Sequence, residues 1–182
     1  MGVLLQVAQL GHSVLRRKAK PVKSIDSVIQ KLIDDLITTV MDADGVGIAA
    51  PQVYQSLRIF ILASHPNPRY PHAPKMKPTA IINPKIISLS KERAKDWEGC
   101  LSIPGIRALV PRHRQIEVEY TDRQGKRRKK NFADFVARIF QHEYEHLDGT
   151  VFLDKIDSTK DIITEKEYQK IIKKKSKKKK TK

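Results

Sequence analysis

The stretch that most limits what this chain can fold into is QHEYEHLDG at 141–149, which sets His142 and His146 four residues apart in a segment of helical pattern. At that spacing both imidazoles leave one face of a helix and can bind the same cation. Glu143 stands beside His142, and a carboxylate there can act as general base toward a water that the cation activates, which is the mechanical content of H-E-x-x-H. Phe135 and Ile139 begin an apolar stripe that continues into His142 and His146 at steps of four, three and four. The histidines therefore replace core residues on a buried face, unlike those of an ordinary surface helix. The pattern points to a metal-dependent hydrolase.

Such a site takes three protein ligands and keeps one position open. No histidine follows His146, so the third ligand lies elsewhere. Glu165 is available downstream, but it opens a lysine-dominated segment with little means of packing on a core. The better candidate is Cys100, the only cysteine, in DWEGCLSIPG (96–105). That stretch reads as a Gly/Pro-bounded turn before a strand starting near Ile106. A free cysteine is most often a small buried apolar residue. A thiolate completing a Cys-His-His set is nonetheless chemically sound, because it suits zinc and other late divalent ions.

A chain of 182 residues suits one domain with a substantial core. The formal charge is +16, of which residues 165–182 contribute +8. The reading is a catalytic domain over 1–164 followed by a lysine-rich, disordered tail over 165–182. A single cysteine cannot make an internal disulfide and suits a reducing compartment. The first residues lack a basic stretch before their apolar ones, no apolar run reaches bilayer length, and Gln6 breaks the M-G-x-x-x-S/T acylation pattern. A cytoplasmic monomer without membrane association is expected.

Ile29, Leu32, Ile33, Leu36, Ile37, Val40 and Met41 recur at helical spacing, with Ser24 or Asp26 available as N-cap and Gly45 beyond the end. GVGIAAPQ (45–52) contains the formal dinucleotide fingerprint G-x-G-x-x-A, but that fingerprint needs a strand before it and a helix after it. Here a helix precedes and Pro51 follows, so the glycines are better read as letting backbone approach a ligand closely. LRIFILA (57–63) is a strand, and residues 65–78, with five prolines, form a long exposed loop. TAIINPKIISLS, IRALVPR and QIEVEYTD are further strands, and the last turns through Asp122–Gly125 into the basic run KRRKKNF (126–132). Strands come first and the histidine helix after them. That order gives an α+β fold, with antiparallel β-sheets packed around a central metal-binding helix and an N-terminal amphipathic helix.

GVGIAAPQ, EGCLS and QHEYEHLDG, in this order and approximate spacing, resemble the three signature motifs of the peptide deformylase family. The similarity covers residues of about 10 to 156. It implies removal of the N-formyl group from the initiator methionine of nascent proteins, with release of formate. On the matching positions, Cys100, His142 and His146 would bind the metal, and Glu143 would be general base and then acid. Gln52 and the backbone N–H of Leu101 would bind the oxyanion, and Gly47 would pair its backbone with the substrate. Val46, Phe135 and Ile139 would line the methionine pocket, Arg107 would contact the peptide, and Glu98 with Arg112 would form a supporting ion pair. The family favours one Fe²⁺ per chain, which Ni²⁺ or Zn²⁺ can replace. Glu145 departs from the usual aspartate at a position that can orient a ligand histidine. The lysine-rich tail lies outside the resemblance and suggests contact with ribosomal RNA.

Two other readings compete. A nucleic-acid-binding module with a structural metal needs a fourth protein ligand, and the sequence offers none. A deformylase-like protein without activity sits poorly with intact Gln52, Cys100 and Glu143.

Overall fold

The computed structural model describes residues 2–180, with side chains through Lys174. Helix α1 (Ser27–Asp42) starts where the Asp26 carboxylate accepts from the N–H groups of Val28 and Ile29, each at 3.0 Å. One side chain thus satisfies two of the donors that a helix start leaves open. Its apolar side, through Ile29, Ile33, Leu36 and Val40, packs in one cluster with Ile48, Ile59 and Ile61.

Two sheets follow, and every strand pairing described within them is antiparallel. The larger contains β1 (Gly47–Ala49), β2 (Ile59–Leu62), β3 (Thr79–Leu89), β6 (Gln115–Thr121) and β7 (Arg127–Ala133), in the order β1-β2-β3-β6-β7. The smaller has the order β4-β5-β8, from β4 (Arg93–Cys100), β5 (Ile103–His113) and β8 (Ile162–Thr164). Among the described residues β1 is therefore an edge strand, able to accept another strand on its outer side.

Helix α2 (Asp134–Leu147) touches strands of both sheets. Ala137, Ile139, Phe140 and Leu147 sink into a cluster with Phe60, Leu62, Ile81 and Val118 of the larger sheet, where the Phe60 and Phe140 rings meet edge-on at 5.0 Å. Toward the smaller sheet the same helix presents Gln141, whose amide closes two hydrogen bonds on the main chain of His113. The α+β arrangement around a central helix agrees with the sequence expectation.

Three stretches differ from it. Residues 96–100 are not a turn but the end of β4, and only Leu101 and Ser102 separate it from β5. RAKDWE is mostly polar and exposed, so β4 is held by its main-chain ladder and gives no apolar alternation to read. The proline-rich loop is anchored as well as exposed. Buried Asn67 donates to the Asp44 carbonyl and accepts from the N–H groups of Arg69 and Tyr70.

The third difference concerns the expected disordered tail. The chain continues there as helix α3 (Glu165–Lys180), and Tyr168 is only 7 % exposed, with its ring 5.9 Å from Trp97. Two anchors, Glu165 and Tyr168, dock the first turn, and the lysine excess hid them in the sequence. Thr181 and Lys182, at the end of the expected tail, lie outside the described residues. Among the described residues no helix is long and apolar enough to cross a membrane.

Candidate active site

Strand β4 delivers Cys100 and helix α2 delivers His142 and His146, so that one donor atom from each lies within 4.8 Å of the others. The Cys100 Sγ is 3.3 Å from His146 Nε2. His142 Nδ1 is 2.9 Å from Glu98 Oε2, which leaves its Nε2 for an ion and fixes the ring. His146 Nδ1 is buried and has no hydrogen-bond partner among the described residues, so that side of the ring is positioned by packing. A cysteine sulfur and two imidazoles, converging at the inner end of a cleft, form a donor set that fits a late divalent cation.

Glu98 is the hub behind this set. It is 3 % exposed, and its Oε1 accepts from Arg112 Nε at 2.8 Å and Arg138 Nη1 at 2.7 Å, while Oε2 accepts from Arg112 Nη2 at 2.9 Å. Arg138 also donates to the carbonyls of Ala94 and Val110, tying α2 to β4 and β5. Burial works to raise the Glu98 pKa, but Arg112 and His142 hold it well below the usual carboxylate range. The Glu98–Arg112 pair was expected; Arg138 was not. It lies one turn before His142, and only a basic residue on the histidine side of the helix could have signalled it.

Glu145 does not reach a ligand histidine. Its Oε1 accepts from Arg112 Nη1 at 2.5 Å, and its Oε2 is buried with no hydrogen-bond partner among the described residues. Glu145 thus supports the hub from the outside, and His146 Nδ1 has no hydrogen-bond partner among the described residues.

A cleft of about 290 Å³ opens onto this centre. Val46, Gly47, Gln52, Leu101, Arg107, Phe135 and Ile139, all expected at the site, line it together with Cys100, His142 and Glu143. His146 lies behind them, 1 % exposed. Glu143 is buried, and its Oε2 has no hydrogen-bond partner among the described residues. A Cβ on Gly47 would fall 2.5 Å from Glu143 Oε1, so glycine is what admits the carboxylate beside edge strand β1. Burial pushes the Glu143 carboxyl up to about 7, against the opposing pull of His142. Such a group can accept and release a proton near neutrality.

Gln52 is locked in place. Its Oε1 accepts from the Ala49 N–H at 2.8 Å, which turns Nε2 toward Ser102 Oγ at 3.1 Å and Cys100 Sγ at 3.3 Å. Burial holds the His146 imidazole well below its ordinary pKa, and the charge of His142 adds to this. At His142 burial works in the same direction, but hydrogen bonds to Cys100 and Glu98 outweigh it and raise the pKa. Partly exposed Arg69, Tyr70, Trp97 and Glu165, none expected there, line the mouth of the cleft.

Known proteins of similar sequence and structure point to one family. A family model described as polypeptide deformylase matches residues 4–161. A relative named peptide deformylase 2, from a Nostoc species, is 62 % identical over 175 residues, spanning 96 % of this chain and 98 % of its own. A crystal structure of a class I type b peptide deformylase from Acinetobacter baumannii with Met-Ala-Ser bound superimposes with a TM-score of 0.84 at 43 % identity, covering 86 % of this chain and all of that one. A Synechococcus elongatus peptide deformylase in complex with actinonin gives 0.78 at 34 % identity, over 86 % of this chain and 81 % of that one. The chain belongs to the polypeptide deformylase family.

Proposed function

We propose that this chain removes the N-formyl group from the initiator methionine of nascent proteins with Cys100, His142 and His146 as ligands of one divalent cation. Family membership makes it a metal-dependent hydrolase of N-formylmethionyl peptides. The observation that carries the residue assignment is the convergence of the three donors within 4.8 Å beside a buried carboxylate, Glu143, on one cleft.

When bound, the cation acidifies water and polarises the formyl carbonyl. Glu143 takes the proton from the attacking water and returns it to the departing amine. Gln52 Nε2 and the Leu101 N–H meet the negative charge that develops on the formyl oxygen, and each such donor is worth about 3–4 kcal/mol. The outer edge of β1, at Gly47, pairs with the peptide main chain as an added strand. Val46, Phe135 and Ile139 enclose the methionine side chain, Arg107 faces the following residues, and Glu98 keeps His142 in its ligand tautomer.

Fe²⁺ is the ion we assign, with Ni²⁺ or Zn²⁺ as substitutes, and the protein works as a cytoplasmic monomer. The basic helix α3 suits contact with ribosomal RNA near emerging chains. The test is formate release from formyl-methionyl peptides by anaerobically purified protein with its metal quantified. Turnover that follows iron content and declines in air supports the reading. Stoichiometric metal without formate release overturns it in favour of a structural site.

A further inference from the structure

Two arginines, Arg69 and Arg107, line the mouth of the cleft, and of these Arg107 already has its guanidinium engaged. It is 4 % exposed and lies against Gly99, where a Cβ would come within 2.8 Å of it. Its Nε donates to Glu165 Oε2 at 2.5 Å and its Nη1 donates to the Tyr70 hydroxyl at 2.6 Å. The guanidinium carbon sits 4.8 Å from the Tyr168 ring and 5.4 Å from the Tyr70 ring. Glu165 Oε1 accepts from Gln169 Nε2 at 2.7 Å, so both carboxylate oxygens are held. Glu165 and Tyr168 come from α3, beyond the residues on which the family match rests. Glu165 itself lines the cleft, and its side chain stays 33 % exposed.

We propose that Glu165 is a specificity-determining residue that cancels the charge of Arg107 at the mouth and so narrows the preference of the enzyme for acidic residues after formylmethionine. This rests on the reading of the cleft as the peptide site. Arg107 alone would set one positive charge beside the emerging peptide and favour acidic sequences. With Glu165 held against it, the pair adds no net charge, and of the two arginines Arg69 and Arg107 in this part of the cleft Arg69 alone still favours acidic residues. Tyr70 and Tyr168 keep the guanidinium in place, which prevents it from swinging away to meet a substrate carboxylate.

The experiment compares formyl-Met-Asp-Asp-amide with formyl-Met-Lys-Lys-amide on the full chain and on Glu165→Gln, reading the ratio of their kcat/KM values. A ratio is unaffected by the fraction of folded enzyme. Relative to the native chain, Glu165→Gln should shift the ratio roughly fivefold toward the acidic peptide, the upper range for one partly exposed charge pair. The shift should lie in KM and shrink in high salt. An unchanged ratio, or equal loss on both peptides, overturns the proposal. Affinities for the products Met-Asp-Asp-amide and Met-Lys-Lys-amide, measured by calorimetry, separate this from the underlying function. If the native chain releases no formate but the product affinities still shift, the function fails and the mouth assignment stands. If formate is released and neither ratio moves, the assignment of Glu165 fails alone.

Discussion

At the inner end of the cleft, Glu98 binds two arginines and His142, all buried, through hydrogen bonds that join α2, β4 and β5. At the mouth, Arg107 is held by one carboxylate, one hydroxyl and two aromatic rings, all brought by α3 or the proline-rich loop. The inner charges cannot be exchanged for water, so their geometry is fixed and any loss is costly. The outer pair is partly wet and weak, and this makes it adjustable. Chemistry needs the first kind of support and substrate choice tolerates the second.

The largest effect should come from Glu143→Gln, which keeps size and hydrogen bonding but removes the base. Formate release should fall by roughly 10²–10⁴ while cation content persists. Loss of the cation instead would make Glu143 a ligand and merge it with the supporting charges. Cys100→Ser is the complementary test, and it should lower cation occupancy sharply because an alkoxide is far harder to form than a thiolate.

Next in size is Glu98→Gln. It should weaken cation affinity by about 10–100-fold, since His142 loses the partner that orients it. It also leaves Arg138 buried without its carboxylate and Arg112 with Glu145 alone, at a cost to folding of about 3–5 kcal/mol. Metal titration and urea unfolding on the same variant measure the two effects. A variant that unfolds early yet binds the cation normally would show that Glu98 supports the sheets and not the ligand.

Tyr168→Ala tests whether the mouth is independent of the inner end. Losing the ring over Arg107 and beside Trp97 should cost about 1–2 kcal/mol and loosen α3. Proteolysis within 165–174 should rise while cation content stays full. A parallel loss of the cation would join the two ends into one unit and break the distinction.

How far each end could be read from the sequence follows from the same difference. Cys100, Glu143, His142 and His146 sit in short contiguous motifs, and Phe135 and Ile139 share the helical stripe of the histidines, so residue type and period marked them as candidates. Arg138 escaped because two of its partners are the main-chain carbonyls of Ala94 and Val110, for which side-chain patterns carry no signal. Glu145 was placed correctly on the helix, but its partner, Arg112, is on a strand whose register no local pattern sets. The mouth was hardest. Tyr70 meets Arg107 across 37 positions and Tyr168 meets Arg69 across 99, and ten lysines around Glu165 and Tyr168 make that segment look solvated.

The smallest expected effect is the pH dependence of α3 docking. Burial works to raise the Glu165 carboxyl, but hydrogen bonds from Arg107 and Gln169 outweigh it and hold the pKa below its ordinary value of 4.5. A carboxylate with a lowered folded-state pKa contributes stability that is present above the ordinary value and lost as pH falls through the lowered one. Glu165 is a third exposed, so solvent screening keeps this contribution below about 1 kcal/mol. Trp97, the only tryptophan, lies beside Tyr168 and reports whether α3 is in place. Its fluorescence should change as pH is lowered below the ordinary glutamate value, before global unfolding is seen by circular dichroism. Glu165→Gln should remove that early step. If the step persists in the variant, another carboxylate governs α3, and the weak outer pair is not what holds the mouth.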